Sequence, residues 1–359
     1  MLSGDGLVVR IRPRGGRLSA EQVAGIAALS AKHGNGLIDL SARANLQIRG
    51  VAEGSYDALM AGLQTLELLD ETSEAEARRN ILVTPFWQDC DGAQEIAQDL
   101  ARALAAPDAP DLPGKFGFAV DTGEVPVLRA ASADIRIEQA LNGLICRADG
   151  AATGTAVTAD TAVAEALRLA HWFVQSGGVQ GGRGRMAGHV GGKKKKSSSE
   201  NFYAAPPGLH ALGYLVGLEF GQIPAATLAM LGAVRVTPWR ILLIEGMQTP
   251  PDLPGLIANA DDPLLRVVAC TGRPGCPQGL QPTRALARDL AQHVPPGGVL
   301  HVSGCAKGCA MPKAEAMVLV GQVGGYGFIP KGLTADVPLQ NNLQSAALTA
   351  DPTILRGGR

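Results

Sequence analysis

Apolar and polar residues alternate in short runs along much of this chain, and the runs come in matched sets. Residues 37–51 (LIDLSARANLQIRGV) and 233–247 (AVRVTPWRILLIEGM) each read as a strand, a short polar break and a second strand ending in glycine. Aligned on Gly50 and Gly246, the apolar positions Ile38, Leu40, Leu46 and Ile48 fall on Val234, Val236, Leu242 and Ile244. Each segment comes after a stretch with helical spacing, 18–34 in the first and 223–233 in the second. Ser19 with Gln22 three residues on, and Pro224 at the first helical position, are helix-start signals. A strand precedes each helix, LVVRIRPR (7–14) and LGYLVGLEF (212–220), so a strand–helix–strand unit occurs twice.

The stretch C-terminal to each unit repeats as well. RNILVTP (79–85) matches LRVVACTG (265–272), and each leads into a helical stretch, 92–106 and 281–294. KFGFAVD (115–121) and AEAMVLVG (314–321) then read as corresponding strands. The chain divides accordingly into 1–75, 76–174, a linker at 175–205, 206–262 and 263–359, an α/β (α+β) organisation. The linker is dense in Gly, Ser and Lys and has no hydrophobic period, so it is expected to be flexible. Its Lys193–Lys196 run reads as a solvated surface stretch.

With 359 residues, 46% hydrophobic and only 18% charged, the chain has the material for large cores, and a disordered chain is excluded. A net charge of −1 gives no global attraction to nucleic acid or to a membrane surface. No apolar run is long enough to span a bilayer, and the first residues lack the apolar core of a signal peptide, so a cytoplasmic protein is expected. No G-x-G-x-x-G opens a helix after a strand, and GGRGR (181–185) sits in the linker. A redox reaction here would draw on an external electron donor.

Six cysteines in such a chain are not a disulfide framework. Cys90 and Cys146 stand alone and read as small buried hydrophobes. The other four cluster as Cys270-x5-Cys276 and Cys305-x3-Cys309. Four thiolates suit either zinc or an iron–sulfur cluster. The five-residue gap of CTGRPGC is long for a zinc knuckle, and its Gly272, Pro274 and Gly275 let the backbone wrap a bulky object, which favours a 4Fe–4S cluster. His33, His171, His189, His210, His293 and His301 show no metal-binding spacing and read as surface or satisfied core residues.

These cysteines, placed after two copies of the repeated unit, resemble the sulfite/nitrite reductase family. TPWR (237–240), LPGKFGFAVD (112–121) and SGCAKGCA (303–310) are most similar, within it, to the precorrin-3B synthase branch. The resemblance implies a duplicated nitrite/sulfite reductase-like fold: two ferredoxin-like half-domains plus two α/β cluster-type domains, one carrying a 4Fe–4S cluster on Cys270, Cys276, Cys305 and Cys309. It implies a monooxygenase of aerobic cobalamin synthesis, using O2 to hydroxylate precorrin-3A at its meso carbon C20 with γ-lactone formation. It also implies a mononuclear non-haem iron whose ligands are unknown. By resemblance the anion-binding residues fall at Arg43, Arg79 and Lys115, and Cys309 lies nearest the macrocycle. A second lysine is expected two positions after Lys115, where this chain has Gly117. That loss, and the charged Ala306-Lys307-Gly308 between the last cysteines, weigh against the alternative of a sirohaem-dependent sulfite or nitrite reductase.

A uroporphyrinoid is ringed with carboxylates, and arginine forks match them. Arg10, Arg12 and Arg14 alternate along one predicted strand, Arg43, Gln47 and Arg49 along another, and Arg235 and Arg240 stand in the second copy. Arg12, Arg43, Gln47, Arg79, Lys115, Arg240 and Lys307 are the candidate substrate-binding residues.

Overall fold

A computed structural model describes residues 2–191, 205–311 and 316–355, and the Lys193–Lys196 run lies outside them. The strand Gly6–Ile11 pairs antiparallel with Leu46–Val51, which pairs with Leu37–Leu40. In the second copy Gly213–Leu218, Ile241–Glu245 and Val234–Val236 pair in the same way. Each copy then lends a short strand to the other. Arg17–Leu18 crosses over to pair with Val234–Val236, and Gln222–Pro224 crosses to pair with Leu37–Leu40. The crossing turns are alike, with left-handed backbone at Gly15 and Gly16 in one and at Phe220 and Gly221 in the other. Left-handed residues also recur inside the paired units, Ala44 (φ 53°) matching Arg240 (φ 63°) in the alignment on Gly50 and Gly246.

Strand alternation sorts each sheet into two faces. In register across the first sheet, Val9, Ile48, Ile38 and Ile223 form one row, and Tyr214, Ile244, Val234 and Leu18 form the matching row of the second. Both rows enter one shared hydrophobic core with Val23 and Ile26 of the helix Ala20–His33. That helix starts as expected, with a Ser19–Gln22 capping box. Its partner is shorter than the expected 223–233: helix is confined to Ala225–Leu228, and Pro224 is the N-cap residue and the end of the crossing strand.

Two further sheets flank this pair. One runs Ile81–Val83, Phe118–Asp121, Ile135–Ala140 in parallel and then Gly143–Ala148 and Thr155–Val157 antiparallel. The other runs Val267–Ala269, Leu300–Ser303, Ala316–Gln322 in parallel and then Gly325–Gly332 and Gln340–Leu343 antiparallel. The order corrects the sequence alignment of these units by one strand. Phe118–Asp121 corresponds to Leu300–Ser303, and Ala316–Gln322 corresponds to Ile135–Ala140. Hydrophobic periodicity finds strands but carries no pairing order, which the parallel register supplies.

The beginning of the expected flexible linker is packed. Met186, in the short helix Met186–His189, is fully buried in the core of the first flanking unit. Arg185 pairs with the buried Asp134 at 2.8 Å. Among the described residues no helix is long and apolar enough to cross a membrane.

Candidate functional site

The four cysteines lie on the two loops that leave the C-terminal ends of Val267–Ala269 and Leu300–Ser303, the end where α/β sheets place ligands. The loops are tied together. Gly304 N–H donates to Cys270 Sγ at 3.2 Å, Leu280 N–H to Gly304 O at 2.7 Å, and Lys307 Nζ to Gln278 Oε1 at 3.1 Å. Thr283 Oγ1 holds the Cys270 carbonyl at 2.6 Å. A side chain on Gly304 would come within 3.0 Å of Gly272 Cα, so the loops approach backbone to backbone. Burial, reinforced by the charges of Cys305, Cys270 and Cys276, raises the Cys309 thiol pKa, while Lys307 lowers it. The four sulfurs therefore share one electrostatic neighbourhood. Among the described residues no three His, Cys, Asp or Glu side chains converge as ligands of a single metal ion. Four thiols spread about a glycine-lined junction are a donor set that could hold a polynuclear cluster.

The solvent-side face of the first sheet adjoins these loops. Opposite the core row, Arg10, Gln47, Asp39 and Gln222 stand in register across four strands, exposed or half-buried. Gln222 Nε2 donates to Asp39 Oδ1 at 2.8 Å, and Arg284, on the helix after the first cysteine loop, donates to Gln222 Oε1. The polar row thus runs from Arg10 to the cysteine loops. At its far end burial, reinforced by the charges of Arg185, Arg10 and Arg12 and opposed by that of Asp134, pulls the Arg43 pKa down. Arg43 Nε is buried without a hydrogen-bond partner.

The second sheet has no such face. Its corresponding row is Leu215, Leu243, Arg235 and Arg17. Leu215 and Leu243 pack with Phe86 and Trp239, and Arg235 stacks 3.8 Å from the Trp87 ring centroid while pairing with Glu245. The two faces correspond in the repeat, the first polar throughout and the second covered by apolar side chains at Leu215 and Leu243 and closed by the Arg17 and Arg235 pairs with Glu245.

The structure separates the predicted substrate residues. Arg12 is buried against Glu76, with burial depressing its pKa most. Gln47 lies within the polar row, Lys115 is exposed, and Lys307 bridges the cysteine loops. Arg79 is enclosed in a two-pronged pair with Asp70, 2.9 Å on each prong, and also holds the Arg12 carbonyl at 3.1 Å. Arg240 donates to Ala310 O at 3.2 Å, beside the cysteine loop, whereas Arg43 is at the opposite end of the row.

Expected rows of guanidinia shrink in the same way. Arg14 lies beyond the strand and donates to Leu69 O, and Arg49 is tied to Asp5 and Asp39. Cys146 is buried as expected, but Cys90 is exposed, because it sits in the loop before the helix Ala93–Ala105. His301, expected to be satisfied or superficial, is buried with Nε2 unpartnered. Sequence reasoning missed Arg185 and Arg284. Arg185 is embedded in glycines, whereas the position of Arg284, just after Cys270–Cys276 at a helix start, was a usable signal.

Gly117 has a structural reason. A Cβ there would lie 2.5 Å from Asn80 Nδ2, which is held by Phe116 O at 3.0 Å. Any lysine at this position must first displace Asn80.

The class is given by the fold. Residues 1–66 match the nitrite/sulfite reductase ferredoxin-like half domain. Among solved structures, the NirA protein of Mycobacterium tuberculosis superposes with a TM-score of 0.59 at 15% identity, over 96% of this chain and 79% of that one. The chain has a nitrite/sulfite reductase-like fold. More particularly, it is 29% identical to a precorrin-3B synthase from Sinorhizobium sp over 94% of its own length and 82% of the relative's.

Proposed function

We propose that this protein is a tetrapyrrole-modifying oxidoreductase that converts precorrin-3A in the manner of a precorrin-3B synthase. The observation that carries the reading is the continuity between the four-cysteine loops and the polar face of the first sheet, through Arg284 and Gln222. The near full-length likeness supports an enzyme of the oxidoreductase kind. Cys270, Cys276, Cys305 and Cys309 would hold a 4Fe–4S cluster, which when bound supplies single electrons drawn from an external donor. Arg43 would bind a substrate carboxylate through its guanidinium, with the exposed Arg10 adding positive charge beside it. Gln47 and Asp39 lie where a macrocycle on this face would be oriented. One oxygen atom of O2 would enter at C20 with an acetate side chain closing the lactone, and the other would leave as water, using two electrons and two protons.

The packing of Gly117 on Asn80 weighs against the sirohaem reductase reading, which calls for a further cation there. The test is incubation of the reconstituted protein with precorrin-3A, a reductant and 18O2. A lactone carrying one labelled oxygen is expected. Intense Soret and red absorption in the purified protein, with sulfite or nitrite reduction and no lactone, would assign the alternative.

A further inference from the structure

Arg284 lies beside the cysteines, half-buried, and has no carboxylate within ion-pair distance among the described residues. Thr283, its neighbour in the chain, fixes the Cys270 carbonyl at 2.6 Å, and Arg284 opens the helix Arg284–Leu290. Its Nε is buried with no hydrogen-bond partner, and its one described side-chain acceptor is the neutral Gln222. The nearby Asp39 is already engaged by Arg49 at 3.3 Å and by Gln222 at 2.8 Å. A half-buried guanidinium whose Nε is shielded from water and unpartnered carries a desolvation cost that an opposite charge at the site would offset. In electrostatic range of Arg284 stand two cations, Arg49 and Arg240, and two negative groups, Asp39, which is already engaged, and Cys270.

We infer that Arg284 is the counter-cation of a cluster held by Cys270, Cys276, Cys305 and Cys309, and that it raises the cluster's reduction potential. The inference rests on the cluster assignment of the proposed function. Four thiolates on a 4Fe–4S core carry a net charge of about −2 when oxidised and about −3 when reduced, so a fixed cation stabilises the reduced form more. Arg284 is a positioning and tuning residue here. Through Gln222 it also fixes the cysteine loops against the edge of the polar face, so tuning and docking share one side chain.

The test is a spectroscopic redox titration of the whole reconstituted protein, with iron and sulfide analysis, for the parent, Arg284→Met, Arg284→Gln and Arg284→Lys. At full cluster content, Arg284→Met and Arg284→Gln should lower the equilibrium constant for reduction about tenfold, a shift of roughly 59 mV for one electron. Arg284→Lys should stay near the parent, which a purely packing role would not produce. Assembly of the cluster in Arg284→Lys but not in the neutral variants also supports the counter-ion. Unchanged potentials in the neutral variants, or loss of the cluster from all three, overturns it. A parent that binds no iron and sulfide overturns the cluster assignment, and the inference falls with it.

Discussion

Charge at single residues divides into pairs that hold the fold and cations that await a partner. Arg79 and Asp70 are each about nine-tenths buried and bonded on two prongs, so Arg79→Ala leaves the Asp70 carboxylate with only the more exposed Arg14, 3.5 Å away, as a cation. A loss of about 3 kcal/mol is expected, the low end for breaking a buried pair because Arg14 remains, read as a fall in denaturation midpoint. Arg43→Ala should do the reverse, leaving the midpoint unchanged, because Arg43 faces other cations, while weakening precorrin-3A binding more than tenfold. Equal destabilisation by both, or equal loss of affinity, would remove the distinction. The cysteines give a sharper result. Serine at Cys270, Cys276, Cys305 or Cys309 should abolish bound iron and sulfide, and serine at Cys90 or Cys146 should not. Iron lost on changing Cys90 would show that the ligand set is wrong. The grouping of the four cysteines was legible in the sequence because both pairs lie on short loops whose spacing is read directly along the chain. The duty of an arginine was not, because Asp70, Glu76 and Glu245 become partners only through folding.

The strands themselves were legible from alternation, but the partnering of elements was not. Phe118–Asp121 and Leu300–Ser303 occupy equivalent places in the flanking sheets, and each carries one buried titratable group. Burial pushes Asp121 up to about 6, opposed by the 2.6 Å hydrogen bond from Leu128 N–H. Burial, helped by the charge of Arg240, pushes His301 down to about 4. The folded state therefore binds a proton at Asp121 more readily than the unfolded chain does. That stability is complete below about pH 4 and is lost as pH rises through about 6. At His301 the unfolded chain is the better base, so stability is complete above about pH 6.5 and is lost as pH falls to about 4. Each effect amounts to about 3 kcal/mol, with opposite sign over nearly the same window. Relative to the parent, Asp121→Asn should gain stability as pH rises from 4 to 6, and His301→Gln should gain it as pH falls from 6.5 to 4. Denaturation measured across that range checks both, and differences that do not vary with pH would refute them.

At the scale of the whole molecule the duplication is an interlock, which no inspection of either half reveals. The repeat itself was readable because Gly50 and Gly246 anchor matching apolar patterns. The exchange of Arg17–Leu18 and Gln222–Pro224 was not, since two or three residues carry no period of their own. Leu18 and Ile223 are both fully buried, each in register with strands of the other copy, and Ile223 and Leu228 share a core with Val23 and Ile26. Separating the copies would expose both rows at once and leave two sheet edges unpaired, the situation that drives strand pairing between chains. The exchange also explains why only one polar face is needed. Gln222 belongs to the second copy, yet it completes the polar row of the first and reaches Arg284 beside the cysteines, so the polar face is joined to the cysteine loops across the two copies. A cut introduced between Gly191 and Ala205 should therefore leave the two pieces co-eluting as one species, with iron and sulfide retained. The piece 205–359 made alone should lack a cooperative unfolding transition, although it carries all four cysteines. If that piece melted cooperatively and bound a full cluster alone, the crossing strands would be ornament to an independent domain. Its failure to do so, with recovery on mixing with 1–191, would show that the cysteine loops depend on the first copy for the surface they face.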